Sequence, residues 1–178
     1  MLSAKDIKEQ LKMEPNLQEG GFLSGAYTAP LNVPDKVLKG FPETKQGRHS
    51  ICSAIYYLLE APGCSVLHRV TGDMLYHFYA GDPVQMLLLH QDGKSEVRVF
   101  GNNVLQGQQP IAVIPGNTWL GSRLMPSGSW ALMGVTMAPG FDPVDYTIGD
   151  RAKLKKEFPE QADLIEKLTR PEPEAIKW

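Results

Sequence analysis

From about Ser50 to Ala138 the apolar residues fall in short runs: "ICSAIYYLLE", "SVLHRV", "MLYHFYA", "PVQMLLLH", "SEVRVFG", "IAVIPGN", "TWLGSRL" and "SWALMGVTM". Each is rich in β-branched, aromatic or long aliphatic residues. Each stops at a turn signal such as "APG", "TGD", "GDP", "QDGK", "GNN" or "PSG". Short strands at roughly 8–12-residue spacing predict an antiparallel sandwich or barrel rather than alternating strand–helix units. "QDGK" predicts a tight hairpin, because Asp-Gly tolerates the positive φ that such turns need.

Helical periodicity appears only at the two ends. Ser3 followed by Asp6 has the form of a capping box, with Ile7 and Leu11 on one face, and Pro15 closes the segment. Asp150 is a candidate N-cap for a second helical region with Leu154, Phe158, Leu164, Ile165 and Leu168, split by Pro159. The final "PEPEAIKW" is expected to fray unless Trp178 docks. Between Glu19 and Pro42 the chain is rich in Gly and Pro, with extended pieces around Phe22 and Tyr27, and the polar stretch from Asp35 to Ser50 predicts an exposed loop or insertion. In "EGGF", Gly20 and Gly21 mark a turn with unusual φ or close approach. The organisation predicted is one domain over 1–178: a barrel core at about 50–140, a helix and strands over 1–49, and a helical segment over 149–170.

Composition narrows the function classes. A net charge of -2 with scattered lysines argues against a nucleic-acid groove. The densest basic run, Lys153, Lys155 and Lys156, reads as a solvated helix face. No run approaches the roughly 20 apolar residues that span a bilayer, and the charged N-terminus does not resemble a secretory signal. Cys52 and Cys64 lack metal-type spacing and are expected to be reduced thiols in a cytoplasmic protein.

The chemistry concentrates in "SVLHRVTGDMLYHFYAG". Segment Gly63–Gly81 resembles the first signature of the cupin superfamily, with Gly63, His68, Val70, Met74 and Gly81 at its marked places, and "PGNTWL" resembles the second, with Leu120 where a histidine stands. A wider string is similar to one small, uncharacterised cupin branch sometimes labelled predicted sugar epimerases: "EGGF", "AIYYLL", "HRV", "HFYAGDP", "VIPGNTW", "GVTMAPGFD" and a closing "LTR", in order from Glu19 to Arg170. The branch usually carries an acidic residue after the aspartate of the turn; here Met74 follows Asp73. The resemblance implies an all-β fold, a double-stranded β-helix (cupin jelly-roll barrel) with an N-terminal helix and C-terminal helices, commonly a homodimer.

A catalytic metal of the zinc or iron type needs about three N or O ligands, and of the four family positions only His68 offers one. The expectation is therefore a metal-free protein with no cofactor. Strand parity puts His77 opposite Met74, Tyr76 and Phe78, unless a bulge intervenes. If the protein is an enzyme, acid–base isomerisation or epimerisation of a small, polar, sugar-like ligand is expected, with His68 as base and Tyr76 as donor. Glu19, Tyr27, Tyr56, Met74, His77, Phe78 and Trp119 are candidate ligand contacts. Other carboxylates weighed are Asp73, Asp142 and Asp145, and Tyr146 is another possible donor. Phe141 in "APGFD" is expected to act as a plug, while His49 and His90 are expected to face solvent. The alternatives are a non-catalytic small-molecule-binding barrel and, further off, a metal oxygenase with a degenerate site. Neither nucleic acid nor membrane is an expected partner.

Overall fold

The computed structural model describes residues 2–171. In chain order it places α1 (Ala4–Gln10), β1 (Glu14–Pro15), β2 (Phe22–Thr28), β3 (Asn32–Pro34), β4 (Arg48–Ser50), β5 (Ser53–Glu60), β6 (Cys64–Arg69) and β7 (Asp73–Gly81). There follow β8 (Val84–Leu89), β9 (Ser95–Phe100), β10 (Ile111–Ile114), β11 (Trp119–Leu124), β12 (Trp130–Ala138), β13 (Thr147–Ile148), α2 (Arg151–Glu157) and α3 (Ala162–Lys167). Six strands pair in the order β1-β2-β5-β12-β7-β10 and five in the order β13-β6-β11-β8-β9, with β3-β4 as a separate ribbon. Every named pairing is antiparallel. The fold is all-β, a jelly-roll sandwich closed around one interior.

Alternation in the sequence decides what fills that interior. On β7, Met74, Tyr76 and Phe78 are buried while His77 and Tyr79 point outward. β8 breaks the rule: Leu87, Leu88 and Leu89 are all fully buried. Its inner residues Val84, Met86 and Leu88 join the barrel core; its outer residues Leu87 and Leu89 pack with Leu67 under Leu154, Phe158, Ile165 and Leu168 of the C-terminal helices. A strand covered on both faces reads as a continuous apolar run. Each such fully buried side chain contributes about 1.5–3 kcal/mol, so the helices are part of the core, not ornament. On the other side α1 lays Ala4 and Ile7 on Leu58, with Tyr56 and Leu132 at the edge.

The helix signals act as read. Ser3 and Asp6 form the capping box, and Asp150 accepts from the Lys153 amide at 2.9 Å. Pro159 separates α2 from α3. α1 ends earlier than Pro15 suggested, capped at Leu11 with Lys12 at φ 51°. The "QDGK" hairpin closes β8 on β9 with Gly93 at φ 82°. Cys52 and Cys64 are free thiols. The expectation about Trp178 falls outside the described residues.

One prediction is corrected in part. The stretch from Asp35 to Ser50 is largely exposed, as expected, but Asp35, Thr44 and His49 are buried. Asp35 Oδ2 accepts from the Thr44 amide at 2.7 Å and its hydroxyl at 2.9 Å, which folds the segment onto itself. His49, expected at the surface, is 2% exposed. His90 is half-buried and contacts Glu96 at 3.0 Å.

Candidate functional site

A cavity of about 260 Å3 opens at one end of the barrel. The inner face of the six-stranded sheet supplies one wall, and its register can be followed residue by residue. Leu23 of β2 lies inward beside Tyr57; Ile55 of β5, Val135 of β12 and Tyr76 of β7 form the next layer; Ser53, Met137 and Met74 form the rim. The facing wall comes from β6, which contributes His68 between Ile148 of β13 and Leu120 of β11.

Glu19 reaches the cavity from a turn built to hold it. The Asn16 side-chain oxygen accepts from the backbone amides of Gln18 and Glu19 at 3.1 and 3.3 Å, and the Glu19 carbonyl accepts from Val66 of β6 at 2.8 Å. Gly20 and Gly21 sit at φ 96° and 70°. A Cβ on Gly20 would run into the Cys64 carbonyl, and one on Gly21 into that of Leu58. Only glycine tolerates both the dihedral and the approach. Arg170, at the close of the "LTR" motif, donates to the Leu17 carbonyl at 2.7 Å and ties the chain end to this turn.

His68 is 2% exposed. Its Nδ1 lies 2.8 Å from the Val66 carbonyl, which can only accept, so Nδ1 carries the proton. Nε2 then faces Glu19 Oε2 at 3.5 Å. A lone pair and a carboxylate do not attract, so the approach becomes favourable only with a proton on Nε2 or on Glu19. The Tyr146 ring stacks on the imidazole with centroids 5.3 Å apart and planes within 14°. Ser65 Oγ donates to the other Glu19 oxygen at 3.4 Å. Burial, and then the nearby Glu19 charge, push the phenols of Tyr76 and Tyr146 up from their ordinary value. Both therefore stay protonated.

Of the residues expected as catalytic groups or ligand contacts, Glu19, His68, Met74 and Tyr76 line this cavity, and Tyr27, Tyr56, His77, Phe78 and Trp119 do not. Phe78 points inward but packs on Phe100 at 5.5 Å, away from the opening. Tyr56 faces outward because its neighbours Ile55 and Tyr57 take the inner positions, and it meets Tyr79 at 6.3 Å. Tyr27 shares parity with Leu23 and Gly25, but a bulge between Gly25 and Tyr27 turns it outward opposite Ala54, 55% exposed. His77 faces Thr136 on the outer surface at 3.4 Å. Trp119 lies outside the barrel under the Arg69 guanidinium, 4.6 Å away.

The cavity also uses residues the sequence reading had not assigned to it: Asn16, Gln18, Leu23, Ser53, Ile55, Val70, Val135 and Met137. Phe141, expected as a plug, is at its wall, as is Tyr146. The signal for Val135 and Met137 was available in the alternation of β12. That for Asn16 was not, since it acts through an Asx turn. The remaining carboxylates have other tasks: Asp73 accepts from the Gly116 amide at 2.7 Å, and Asp142 caps the turn at Val144 at 3.0 Å.

Asp145 belongs to a second cluster. His49 Nδ1 lies 2.7 Å from Asp35 Oδ1 and Nε2 lies 3.1 Å from Asp145 Oδ2, with the imidazole side chain fully enclosed. Burial works to raise the Asp35 carboxyl, but hydrogen bonds from Thr44 and His49 bring it below the ordinary carboxylate range. For Asp145 burial prevails over His49 and its carboxyl is raised.

The cupin fold commonly houses a metal, and the donors here do not fit one. Val70, Met74 and Leu120 are buried apolar members of the core, and among the described residues no three His, Cys, Asp or Glu side chains are arranged to hold a metal ion.

Residues 5–149 match the model of a family described as Cupin superfamily (DUF985). No match is found among curated proteins. Among solved structures, a Shewanella oneidensis protein is similar at 25% identity, with a TM-score of 0.82 over 97% of this chain and 100% of its own. A hypothetical protein from Leishmania major is similar at 22% identity, with a TM-score of 0.82 over 94% and 99%. Oxalate decarboxylase from Bacillus subtilis shares the fold alone, at 12% identity and a TM-score of 0.52, over 90% of this chain and 38% of its own.

Proposed function

The chain belongs to the Cupin superfamily (DUF985), and on that premise we propose that it binds a small molecule in its barrel and moves a proton on it with His68, backed by Glu19. The observation that carries this reading is the fixed tautomer. Val66 holds the Nδ1 proton at 2.8 Å, so Nε2 and Glu19, 3.5 Å apart at the cavity wall, share a single mobile proton. An acid and a base in one pair suit isomerisation or epimerisation, in which a proton leaves one face of a carbon and returns to the other. Tyr76 and Tyr146, kept neutral, line the same cavity, and on this reading they donate to the developing oxyanion.

The test is hydrogen exchange. In D2O the protein should place deuterium at the carbon next to the carbonyl of an enolisable ketone faster than buffer does, and His68→Asn should lose that acceleration. Equal acceleration by the variant removes His68 from the role.

A second reading is binding without chemistry. It is favoured by the closed state of the site, in which Glu19, His68, Ser53 and Asn16 already have protein partners. Under it, a ligand raises the melting temperature and returns unchanged.

The same proposal includes a cytoplasmic homodimer. Among the described residues no helix is long and apolar enough to cross a membrane. Tyr79, Ile111 and Val113 on the outer face of the six-stranded sheet are about half exposed, a surface that suits a second copy. Sedimentation at two concentrations tests it.

A further inference from the structure

We infer that the ligand of the barrel cavity is a neutral, largely apolar molecule with one oxygen function directed at the His68–Glu19 gap, rather than a sugar or an anion. This rests on the reading of the cavity as the ligand site. The surface the cavity presents is carbon: Leu23, Ile55, Met74, Val135, Met137 and the ring of Phe141. Polar side chains also reach it, but four of them are engaged within the protein. The Asn16 oxygen holds two backbone amides of its own turn. Ser53 Oγ accepts from the Phe141 amide at 2.9 Å, His68 Nδ1 is tied to Val66, and Glu19 is flanked by Ser65 and His68. Among these four, the loose contact is the 3.5 Å separation of Nε2 and Glu19 Oε2, long for a hydrogen bond, and beyond them the cavity offers only Gln18 and the hydroxyls of Tyr76 and Tyr146. A ligand oxygen entering there finds a donor and an acceptor together.

Two consequences exclude the alternatives. A sugar carries several hydroxyls, and each one stripped of water without a partner lowers affinity by about tenfold. An anion fares worse. No Lys or Arg is among the cavity-lining residues, and Glu19 brings an acidic group to the wall. A neutral ring system meets neither penalty, and the thioethers of Met74 and Met137 adapt well to an aromatic face. The volume of about 260 Å3 is just below the usual range for drug-sized ligands, which suits two fused rings.

The experiment titrates the full chain, with 13C-labelled Met methyls, with three probes: 2-tetralone, 2-naphthoate of the same shape but anionic, and glucose. 2-Tetralone should shift the Met74 and Met137 resonances and bind about thirtyfold or more tighter than either competitor, a difference set by unpaired polar groups. Val135→Thr, which adds a hydroxyl at nearly constant volume, should weaken 2-tetralone by about fivefold while the melting transition stays cooperative. If that variant does not fold, Met137→Gln takes its place. Glucose or 2-naphthoate binding as tightly as 2-tetralone, or no probe moving these methyls, overturns the inference. Deuterium uptake measured in the same samples separates the two proposals. Tetralone bound without accelerated exchange sinks the proton-transfer reading and leaves the ligand class standing. Glucose bound with accelerated exchange does the reverse.

Discussion

Two buried histidines, His68 and His49, are equally hidden from solvent at 2% exposure, yet they are held in opposite ways. His49 is closed on both sides by carboxylates at 2.7 and 3.1 Å, and no described cavity touches it. His68 has one nitrogen fixed by a backbone carbonyl and the other beside a single carboxylate at 3.5 Å, next to empty volume. A site that acts on a ligand needs unspent hydrogen-bonding capacity facing a space; a structural site has none left. By that criterion His49 is a clamp, and His68 keeps the free capacity that the proposed function calls on. The clamp adjoins that site, since Asp145 immediately precedes Tyr146, the ring stacked on His68.

The sharpest way to break this contrast is to remove each imidazole in turn. His49→Ala leaves two buried carboxylates facing each other and should cost about 3–5 kcal/mol in denaturant unfolding. His68→Ala leaves only Glu19, which borders the cavity and can be hydrated there, and should cost about 1–2 kcal/mol. Comparable losses would mean that the two sites are of one kind.

Acid titration sharpens it next. Asp35 has a lowered pKa, so its contribution is complete above the ordinary carboxylate range and is lost as pH falls toward the lowered value. Asp145 has a raised pKa, so its contribution is present in acid and is lost as pH rises through the raised value. Asp35→Asn should therefore destabilise the protein at neutral pH and flatten the acid limb of melting temperature against pH. Asp145→Asn should relieve the loss seen on raising the pH. The same response from both variants would contradict the asymmetric clamp.

The smallest expected effect is at Glu19. It borders the cavity, where water can reach it, and Gln keeps its shape, so Glu19→Gln should change unfolding free energy by about 1 kcal/mol or less. The same variant should abolish any His68-dependent deuterium exchange, because the mobile proton of the pair is gone.

How far the sequence foretold these sites depends on which contacts are local. The jelly roll followed from strand alternation and from the ordered cupin motifs, and parity correctly sent His77 outward. The same parity would have sent Tyr27 inward, and one extra residue in β2 reversed it. Bulges carry no compositional mark strong enough to read. Tyr56 and Trp119 were drawn toward the site by their aromatic character, whereas their neighbours Tyr57 and Leu120 hold the inner positions. His49 was the largest miss. Its partners lie 14 and 96 residues away, and nothing in "GRHS" announces an enclosed ion cluster. Glu19 was visible as a motif, but its approach to His68 depends on the Asn16 turn and its two glycines.

That turn has an evolutionary consequence. The carboxylate facing His68 is carried by a connection outside the barrel's strand registers, braced by Asn16 and Arg170. A lineage can exchange this acid for another side chain without re-pairing a single strand or disturbing the core. The barrel carries the fold and Glu19 stands apart from it, so on the proposed reading the chemistry of the cavity and the stability of the protein can be altered separately.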